Sequence, residues 1–375
     1  MKVTPETCFD LLVTGLVDLE SAYEQEGGIT HPYPKNLQRA LNQLALLSLR
    51  ENKPIIQSLG EVLKLCKTTP LIDWPINFSQ KEDICLLENI PEIKITEECQ
   101  EFAQDVIESN KPGILQKEVY QKIIALTSRS KTIEEKDAIY RQVREFLAKH
   151  SITTLKERVQ FNARFKAKFK ANSKVLEEGI FNVVYTHSVP ASKFINDKIA
   201  RCKLCGSLVT MYNERMICTV HKCDFNTSQN KESLIDYIEP NETVKLAAPD
   251  IRYYLVSPTV PELKLRDRAK ELKCKVTMWP GLDSYDLLIV CPDGYKLCVD
   301  VKDWVSPDGL AEKCSEKGFP MDDIKKYGIE GDEYCFVVPD ARKAKTPNYK
   351  EVFIEHSNAE IYYESELIDL IKNHV

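Results

Sequence analysis

Two apolar, strand-like runs near the C-terminus carry charged residues where core residues are expected. Leu287 to Cys291 and Tyr295 to Val301 are rich in β-prone residues, and the turn-forming segment Pro292-Asp-Gly294 separates them. The pattern predicts a β-hairpin. Three charged residues lie inside its strands or at their ends: Asp286, Asp300 and Lys302. Because a charge in a core strand is costly unless it is paired or binds an ion, the hairpin is the first place to look for a site.

The register of the hairpin decides which charges meet. A three-residue loop with Gly294 in the left-handed conformation places Asp286 opposite Asp300, with Cβ atoms about 5 Å apart on one face. Lys302 shares that face because side chains alternate along a strand. Two close carboxylates repel unless a proton or cation neutralises them. Mg²⁺, or Mn²⁺ in its place, would satisfy them, and a structural Asp–Lys pair is the alternative. The same count places Asp283 opposite Asp303.

Four of the thirteen cysteines form a cluster in the middle of the chain. Cys202-x2-Cys205 precedes Gly206, and Cys218-x4-Cys223 follows after a hairpin-like stretch. Two such groups resemble a zinc ribbon, a closed structural Zn²⁺ site. His221 leaves open a site of three cysteines and one histidine, with Cys223 free, and four unrelated buried thiols are the other reading. The remaining cysteines are scattered among apolar neighbours, which favours a reducing compartment.

Residues 1–178 are predicted to form a helical domain, because apolar residues recur at steps of three and four, as in Leu37, Leu41, Leu44 and Leu47. The zinc-ribbon module is assigned to residues 179–245, beginning with the β-type segment Ile180–Tyr185, and an α/β domain to residues 246–375. The whole net charge of −6 lies in that last segment. Nucleic-acid contact there would therefore need local patches, a metal or a partner.

A basic segment closes the helical domain. Phe161, Phe165 and Phe169 repeat at i, i+4 and form one apolar stripe. One interpretation is a nucleic-acid contact through the basic residues Arg164, Lys166, Lys168 and Lys170. The other is a helix whose Phe stripe packs on the helical domain while its charges are solvated.

The sequence contains no pattern typical of a membrane-spanning, a secreted or an ATP-driven protein. No apolar run approaches the roughly 20 residues that cross a bilayer, and Leu11–Val17 does not resemble a signal peptide. We therefore expect a soluble, cytoplasmic protein with no membrane partner. No Gly-x4-Gly-Lys-Ser/Thr loop occurs, which speaks against an ATP-driven enzyme.

Asp286, a hairpin and Asp300-x-Lys302 in an apolar strand resemble the PD-(D/E)xK restriction-endonuclease-like nucleases. The order of predicted elements is similar to that family's mixed-sheet core: a helix at Pro261–Leu272, a strand at Lys275–Trp279, the hairpin, a helix at Met321–Tyr327 and a strand at Tyr334–Val338. Val352–Ile354 and a closing helix at Ser365–Lys372 would extend it. The chain departs from the family's pattern in having Tyr285 where a proline usually stands.

The resemblance implies roles for single residues. Asp286 and Asp300 look like ligands of the catalytic metal, the Val301 carbonyl a further ligand, and Lys302 the catalytic lysine. Family members often add an acidic residue on the first helix, for which Glu262 is the first candidate and Glu271 the second; a solvated surface charge is the alternative for both. Lys325 and Lys326 could meet DNA phosphates, or form an exposed helix face.

The arrangement as a whole, a helical N-terminus, a zinc ribbon and a nuclease core, is similar to restriction-endonuclease-like proteins associated with PIWI-type proteins in bacterial defence islands. It implies a metal-dependent nuclease that hydrolyses DNA and is delivered by a protein partner. The alternative is an inactive adaptor that binds nucleic acid or protein through the ribbon. The sequence leaves open whether the substrate is DNA or RNA and whether a homodimer forms.

Overall fold

The chain consists of helices and small sheets, with a mixed sheet near the C-terminus, as predicted. The computed structural model describes residues 3–56, 58–78, 83–90, 92–109, 115–128, 130–169, 175–212, 214–220, 223–248 and 251–375. Within these ranges, no helix combines the length and apolar character that a membrane span needs. Two compact units form, Met1–Ile114 with Pro190–Ser192, and Leu115–Val189 with Lys193–Val375. The predicted domain boundaries after residues 178 and 245 both fall inside the second unit.

The first unit is mainly helical. Its elements are α1 (Pro5–Glu26), α2 (Lys35–Arg50), α3 (Leu59–Thr68), β1 (Leu87–Asn89), β2 (Lys94–Ile95) and α4 (Glu97–Ser109). Thr4 begins α1 with a capping box, which satisfies backbone N–H groups that the first turn leaves open. A Cβ atom on Gly15 would lie 2.4 Å from the backbone nitrogen of Leu37. A glycine at this position therefore lets α1 and α2 pack closely.

The second unit begins with helices. They are α5 (Leu115–Thr127), α6 (Ile133–Lys149), α7 (Leu155–Phe169), a π-helical segment (Val175–Phe181) and α8 (Asn182–Val184). The predicted β-type segment Ile180–Tyr185 is therefore wrong, since most of it is helical. Phe181 packs against Phe146 and Phe161, with ring centroids 5.2 and 5.9 Å apart. Apolar tertiary contacts of this kind override a local preference for strand.

A four-stranded antiparallel sheet follows, in the order β6-β5-β4-β7. Its strands are β4 (Ile199–Cys202), β5 (Leu208–Tyr212), β6 (Arg215–Cys218) and β7 (Ile235–Ile238). Two short strands, β3 (Ile152–Thr153) and β8 (Lys245–Leu246), pair beside it. The hairpin that the sequence predicts between the two cysteine groups is thus confirmed as β5 and β6.

The C-terminal part carries a five-stranded sheet in the order β13-β12-β11-β10-β9. The strands are β9 (Lys275–Met278), β10 (Leu287–Val290), β11 (Lys296–Val301), β12 (Glu333–Val338) and β13 (Ile361–Tyr363). β9, β10 and β11 form an antiparallel meander, and β12 and β13 are added in parallel. The helices are α9 (Ser257–Glu271), α10 (Pro280–Asp283), α11 (Pro307–Lys317), α12 (Met321–Tyr327), α13 (Asp340–Lys345), α14 (Tyr349–His356) and α15 (Glu364–Lys372).

The predicted elements occur in the predicted order, apart from Val352–Ile354. Val352–Ile354 lies in α14, and the strand that extends the sheet is β13. Phe353 is fully buried and packs on Phe336, 6.4 Å away between ring centroids, so the segment contributes to the core from a helix. The helices α10, α11 and α13 were not predicted from the sequence. Of these, α11 covers one side of the sheet through buried Leu310 and Ala311.

Candidate functional site

The hairpin formed by β10 and β11 has the predicted register. Leu287 pairs with Val299 and Val290 with Lys296, so Asp286 and Asp300 are opposed one step beyond the ladder. At the loop, the Cys291 N–H donates to the Tyr295 carbonyl at 2.8 Å, and Gly294 has φ 98°. A three-residue loop with a left-handed glycine is thus confirmed.

Asp286 is buried, with 9% of its surface exposed, and its Oδ2 accepts a 2.7 Å hydrogen bond from the Val301 N–H. Burial raises its pKa well above the ordinary value, and the negative charges of Glu262 and Asp300 raise it further, while Lys302 lowers it. Asp300, directly opposite on the hairpin, therefore acts on Asp286 as a neighbouring negative charge. This carboxylate pair therefore lies where an unneutralised second charge is unfavourable.

Lys302 lies on the same side as the pair. Its Nζ is 2.8 Å from Asp300 Oδ2, and its backbone N–H donates to the Val337 carbonyl of β12 at 2.8 Å. The hydrogen bond to β12 holds the backbone at the end of β11, and therefore fixes the position from which the Lys302 side chain extends. The ion pair is also the contact that the structural alternative, an Asp–Lys pair, requires.

Glu262 is not a surface charge. It lies on α9 with 3% of its surface exposed, and its Oε2 accepts a 2.6 Å hydrogen bond from the indole Nε1 of Trp279. Burial raises its pKa to about 7, an effect opposed by the charge of Arg144. Glu271, the second candidate, is exposed. Of the two glutamates, only Glu262 therefore lies close enough to influence Asp286 electrostatically.

Three residues of α6 that were not predicted from the sequence contact this region. Asp137 accepts hydrogen bonds from the N–H groups of Gly281 and Leu282, at 3.0 and 2.8 Å. Tyr140 donates to Asp283 at 2.8 Å, and Arg144 pairs with Asp283. The three residues are spaced i, i+3, i+7, so polar side chains recurring on one face of an otherwise apolar helix were the available signal.

The predicted opposition of Asp283 and Asp303 is wrong. Asp283 lies in the turn before β10, where it is bound from α6, whereas Asp303 binds Arg342 at 2.7 Å. The antiparallel ladder does not reach these positions, because β10 begins only at Leu287. The segment before it, α10, is a tight turn in which Gly281, Leu282 and Asp283 have left-handed backbone conformations.

The sulfur atoms of the cysteine cluster lie closer together than the carboxylate oxygens of the hairpin region do as a group. Among the described residues, the four cysteines are the one group of three or more candidate ligands with donor atoms within 4.8 Å of one another: Cys202, Cys205, Cys218 and Cys223. The Sγ atoms of Cys205 and Cys218 are 3.4 Å apart, and those of Cys202 and Cys223 are 3.7 Å apart. A tetrahedral zinc site with four thiolates has S–S separations of about 3.8 Å. The cluster could therefore hold a metal such as zinc.

Gly206 fixes the cluster against the helices. It has φ 72°, and a Cβ atom on it would lie 1.7 Å from the Lys149 carbonyl oxygen at the end of α6. Its own carbonyl accepts from the Ile152 N–H at 3.2 Å. A glycine is therefore favoured after Cys205 for two reasons, the left-handed turn and the close approach of α6.

Two predicted site residues, His221 and Lys170, lie outside the described residues. The Phe stripe of α7 packs inward, since Phe161 and Phe165 are buried, as the packing interpretation required. The basic residues Arg164, Lys166 and Lys168 of the same helix are exposed. Lys325 and Lys326 on α12 are exposed as well. An exposed basic face is compatible with either interpretation of these residues.

The comparisons with known proteins give two matches to family models. Residues 259–375 match a family described as "REase associating with pPIWI_RE", and residues 8–154 match one described as "pPIWI_RE three-gene island domain Y". Searches of curated proteins and of solved structures found no match. Both matches name the same association, and the first covers α9 and the whole five-stranded sheet. Together they support a restriction-endonuclease-like protein of a pPIWI-associated gene island.

Proposed function

We propose that this chain is a Mg²⁺- or Mn²⁺-dependent nuclease that hydrolyses phosphodiester bonds of DNA in a prokaryotic defence system of the restriction type. One observation carries the proposal. Asp286 and Asp300 are opposed on one hairpin, and the Lys302 ammonium lies 2.8 Å from Asp300. These are the residue types and the placement that the PD-(D/E)xK resemblance requires, on a sheet that matches a family described as an REase.

The carboxylates fit a hard divalent cation. Asp286 is largely removed from water beside two other acidic side chains, so a second negative charge is unfavourable unless a cation neutralises it. Mg²⁺ accepts one or two carboxylates and retains several waters. Asp286 and Asp300 would hold it, together with the Val301 carbonyl, and Glu262 is the nearest further acid. Bound there, the ion would polarise a phosphoryl oxygen and supply an acidified water.

The protein's own side chains have defined tasks in this proposal. The Val301 N–H orients Asp286 through its 2.7 Å hydrogen bond. Lys302, released from Asp300 when the carboxylate binds the ion, would orient the attacking water or stabilise the charge that develops on the phosphoryl oxygens. Trp279 holds Glu262 in its buried position.

The cysteine cluster is proposed to bind a structural Zn²⁺ ion. Four buried thiol groups leave no open position for a substrate, so the ion would stabilise the module without taking part in catalysis. The convergence of all four sulfurs favours ligation by the four cysteines.

A protein partner is proposed to deliver the substrate. Both matching families are described by their association with pPIWI_RE, and the acidic charge of residues 246–375 disfavours unaided binding to a phosphate backbone. Arg164, Lys166 and Lys168 form the basic face through which the chain itself would touch nucleic acid.

Cleavage assays test the proposal directly. Purified protein is incubated with linear and supercoiled DNA in Mg²⁺ or Mn²⁺, with and without the partner encoded in the same island. We expect divalent-dependent cleavage that Asp300→Ala and Lys302→Ala each reduce by at least about 10³-fold. The matched controls are Asp369→Ala and Lys372→Ala, which break an exposed Asp–Lys pair of similar length, 2.7 Å.

Cleavage that survives Asp300→Ala and Lys302→Ala would exclude this site. Salt-sensitive binding to nucleic acid without any divalent-dependent cleavage would establish the adaptor alternative instead.

A further inference from the structure

The candidate site is continuous with α6, a helix far from it in sequence. Asp137, Tyr140 and Arg144 project from one face of α6 onto the segment Trp279–Asp283, which links β9 to β10. The backbone of Trp279 in turn donates a 2.7 Å hydrogen bond to the Asp286 carbonyl. Any displacement of this segment would therefore be passed directly to a proposed metal ligand.

The segment adopts a conformation that it would not hold without support. Trp279, Leu282 and Asp283 have φ values of 46°, 60° and 80°, in the left-handed region that non-glycine residues adopt only when their surroundings impose it. The carboxylate of Asp137 binds the N–H groups of Gly281 and Leu282. The strain is thus compensated by contacts from α6.

Arg144 contacts both the segment and the buried glutamate. Its guanidinium pairs with Asp283, lies 3.5 Å from Glu262 Oε1, and stacks over the Trp279 ring at 4.5 Å. The arginine side chain is 12% exposed, and its buried Nε has no hydrogen-bond partner among the described residues. A strongly basic group is therefore held out of water by three partners in the site's wall and by Tyr140 of its own helix, whose hydroxyl oxygen accepts from Arg144 Nη1 at 3.2 Å.

We propose that Arg144 is a positioning residue of the nuclease site, which holds Glu262 and the segment Trp279–Asp283 in the geometry that metal binding and cleavage need. The inference rests on the proposed function and extends it. It also joins the two matched segments, because Arg144 lies within residues 8–154 and the site within residues 259–375. The nuclease-like segment is accordingly incomplete without α6.

The test uses the full chain with Arg144→Met, Arg144→Lys and a matched control, Arg266→Met. Arg266 is also buried and is ion-paired between α9 and α6 through Glu145 at 2.9 Å, and with its neighbour Asp267 at 2.7 Å. Among the described residues, no ion pair joins Arg266 to Glu262, Asp283 or Asp286. Three quantities are measured for each variant: kcat and KM on linear duplex DNA in Mg²⁺, Mn²⁺ affinity without DNA by calorimetry, and the melting temperature.

We expect Arg144→Met to lower kcat about 10²-fold with little change in KM, because a small misplacement of reacting groups has effects of this size. Its Mn²⁺ affinity should fall at least about tenfold, as for other residues that orient metal ligands. Arg144→Lys keeps the charge but loses the planar fork, so it should restore part of kcat. Arg266→Met should lower the melting temperature comparably and leave kcat unchanged.

Unchanged kcat in Arg144→Met, or an equal loss in Arg266→Met, would overturn the inference and leave the proposed function standing. If Arg144→Met does not fold, Arg144→Lys decides: a reduced kcat supports the inference and wild-type kcat overturns it.

If wild-type protein cleaves no DNA, the proposed function fails, and the inference is then decided by Mn²⁺ binding alone. Weaker binding by the Arg144 variants then supports the positioning role, and equal or absent binding rejects it.

Discussion

The cysteine cluster and the carboxylate hairpin lie in the same compact unit and present their donors in opposite ways. The four sulfurs converge within 4.8 Å of one another, and two pairs of them lie only 3.4 and 3.7 Å apart. The carboxylates are each held by a protein group, Asp286 by the Val301 N–H, Asp300 by Lys302 and Glu262 by Trp279. The first arrangement suits a permanent structural ion. The second suits an ion that exchanges with solvent and substrate.

The largest expected effect concerns the cysteine cluster. Cys205→Ser should abolish stoichiometric zinc, measured by mass spectrometry, and unfold the ribbon, because structural zinc contributes about 10–16 kcal/mol of binding free energy. Cys314→Ser, at a buried cysteine outside the cluster, should retain zinc. Full zinc content in Cys205→Ser would show that the cysteine cluster is not a closed four-cysteine zinc site, and its contrast with the carboxylate hairpin would then fail.

A smaller effect is expected at Glu262, whose pKa burial raises from 4.5 to about 7. A carboxyl with a raised pKa in the folded state contributes stability that is complete below its ordinary pKa and is lost as the pH rises towards 7. Glu262→Gln should therefore match wild type near pH 4.5 and exceed its free energy of unfolding by about 3 kcal/mol above pH 7, without Mg²⁺.

Denaturant titrations across this pH range measure the difference, with the exposed Glu271→Gln as control. A difference that does not change with pH would mean that Glu262 is not held in the buried environment described, and the contrast between the two regions would then rest on the aspartates alone.

The smallest effect is expected at Asp286. Asp286→Asn removes one of two opposed carboxylates and should raise the free energy of unfolding without divalent ions by about 1 kcal/mol. Added Mg²⁺ should stabilise wild type but not the variant. Asp322→Asn, at an exposed position of α12, is the control. Equal Mg²⁺ stabilisation of wild type and Asp286→Asn would contradict the assignment of Asp286 as a ligand.

Predictions from local patterns were the ones that the structure confirmed. The loop Pro292–Gly294 contains enough turn chemistry to set the hairpin register, and α12 begins and ends as predicted, at Met321 and Tyr327. The ribbon hairpin follows from cysteine spacing. Predictions of secondary structure that depended on the tertiary surroundings of a segment were wrong at two places. Ile180–Tyr185 and Val352–Ile354 have apolar, β-prone residues, yet both segments lie mainly in helices, from which Phe181, Val184 and Phe353 are buried.

The sequence by itself determined the donors that are close along the chain or across one hairpin: the four cysteines, and Asp286 opposite Asp300 with Lys302 beside them. Their geometry depends on turns and strand alternation, which act over a few residues. Only the tertiary structure brought Glu262, Trp279 and Arg144 together, because contacts between distant segments depend on how whole helices pack. Burial, which shifts the pKa values of these acids, is likewise a property of the assembled unit and of no single segment.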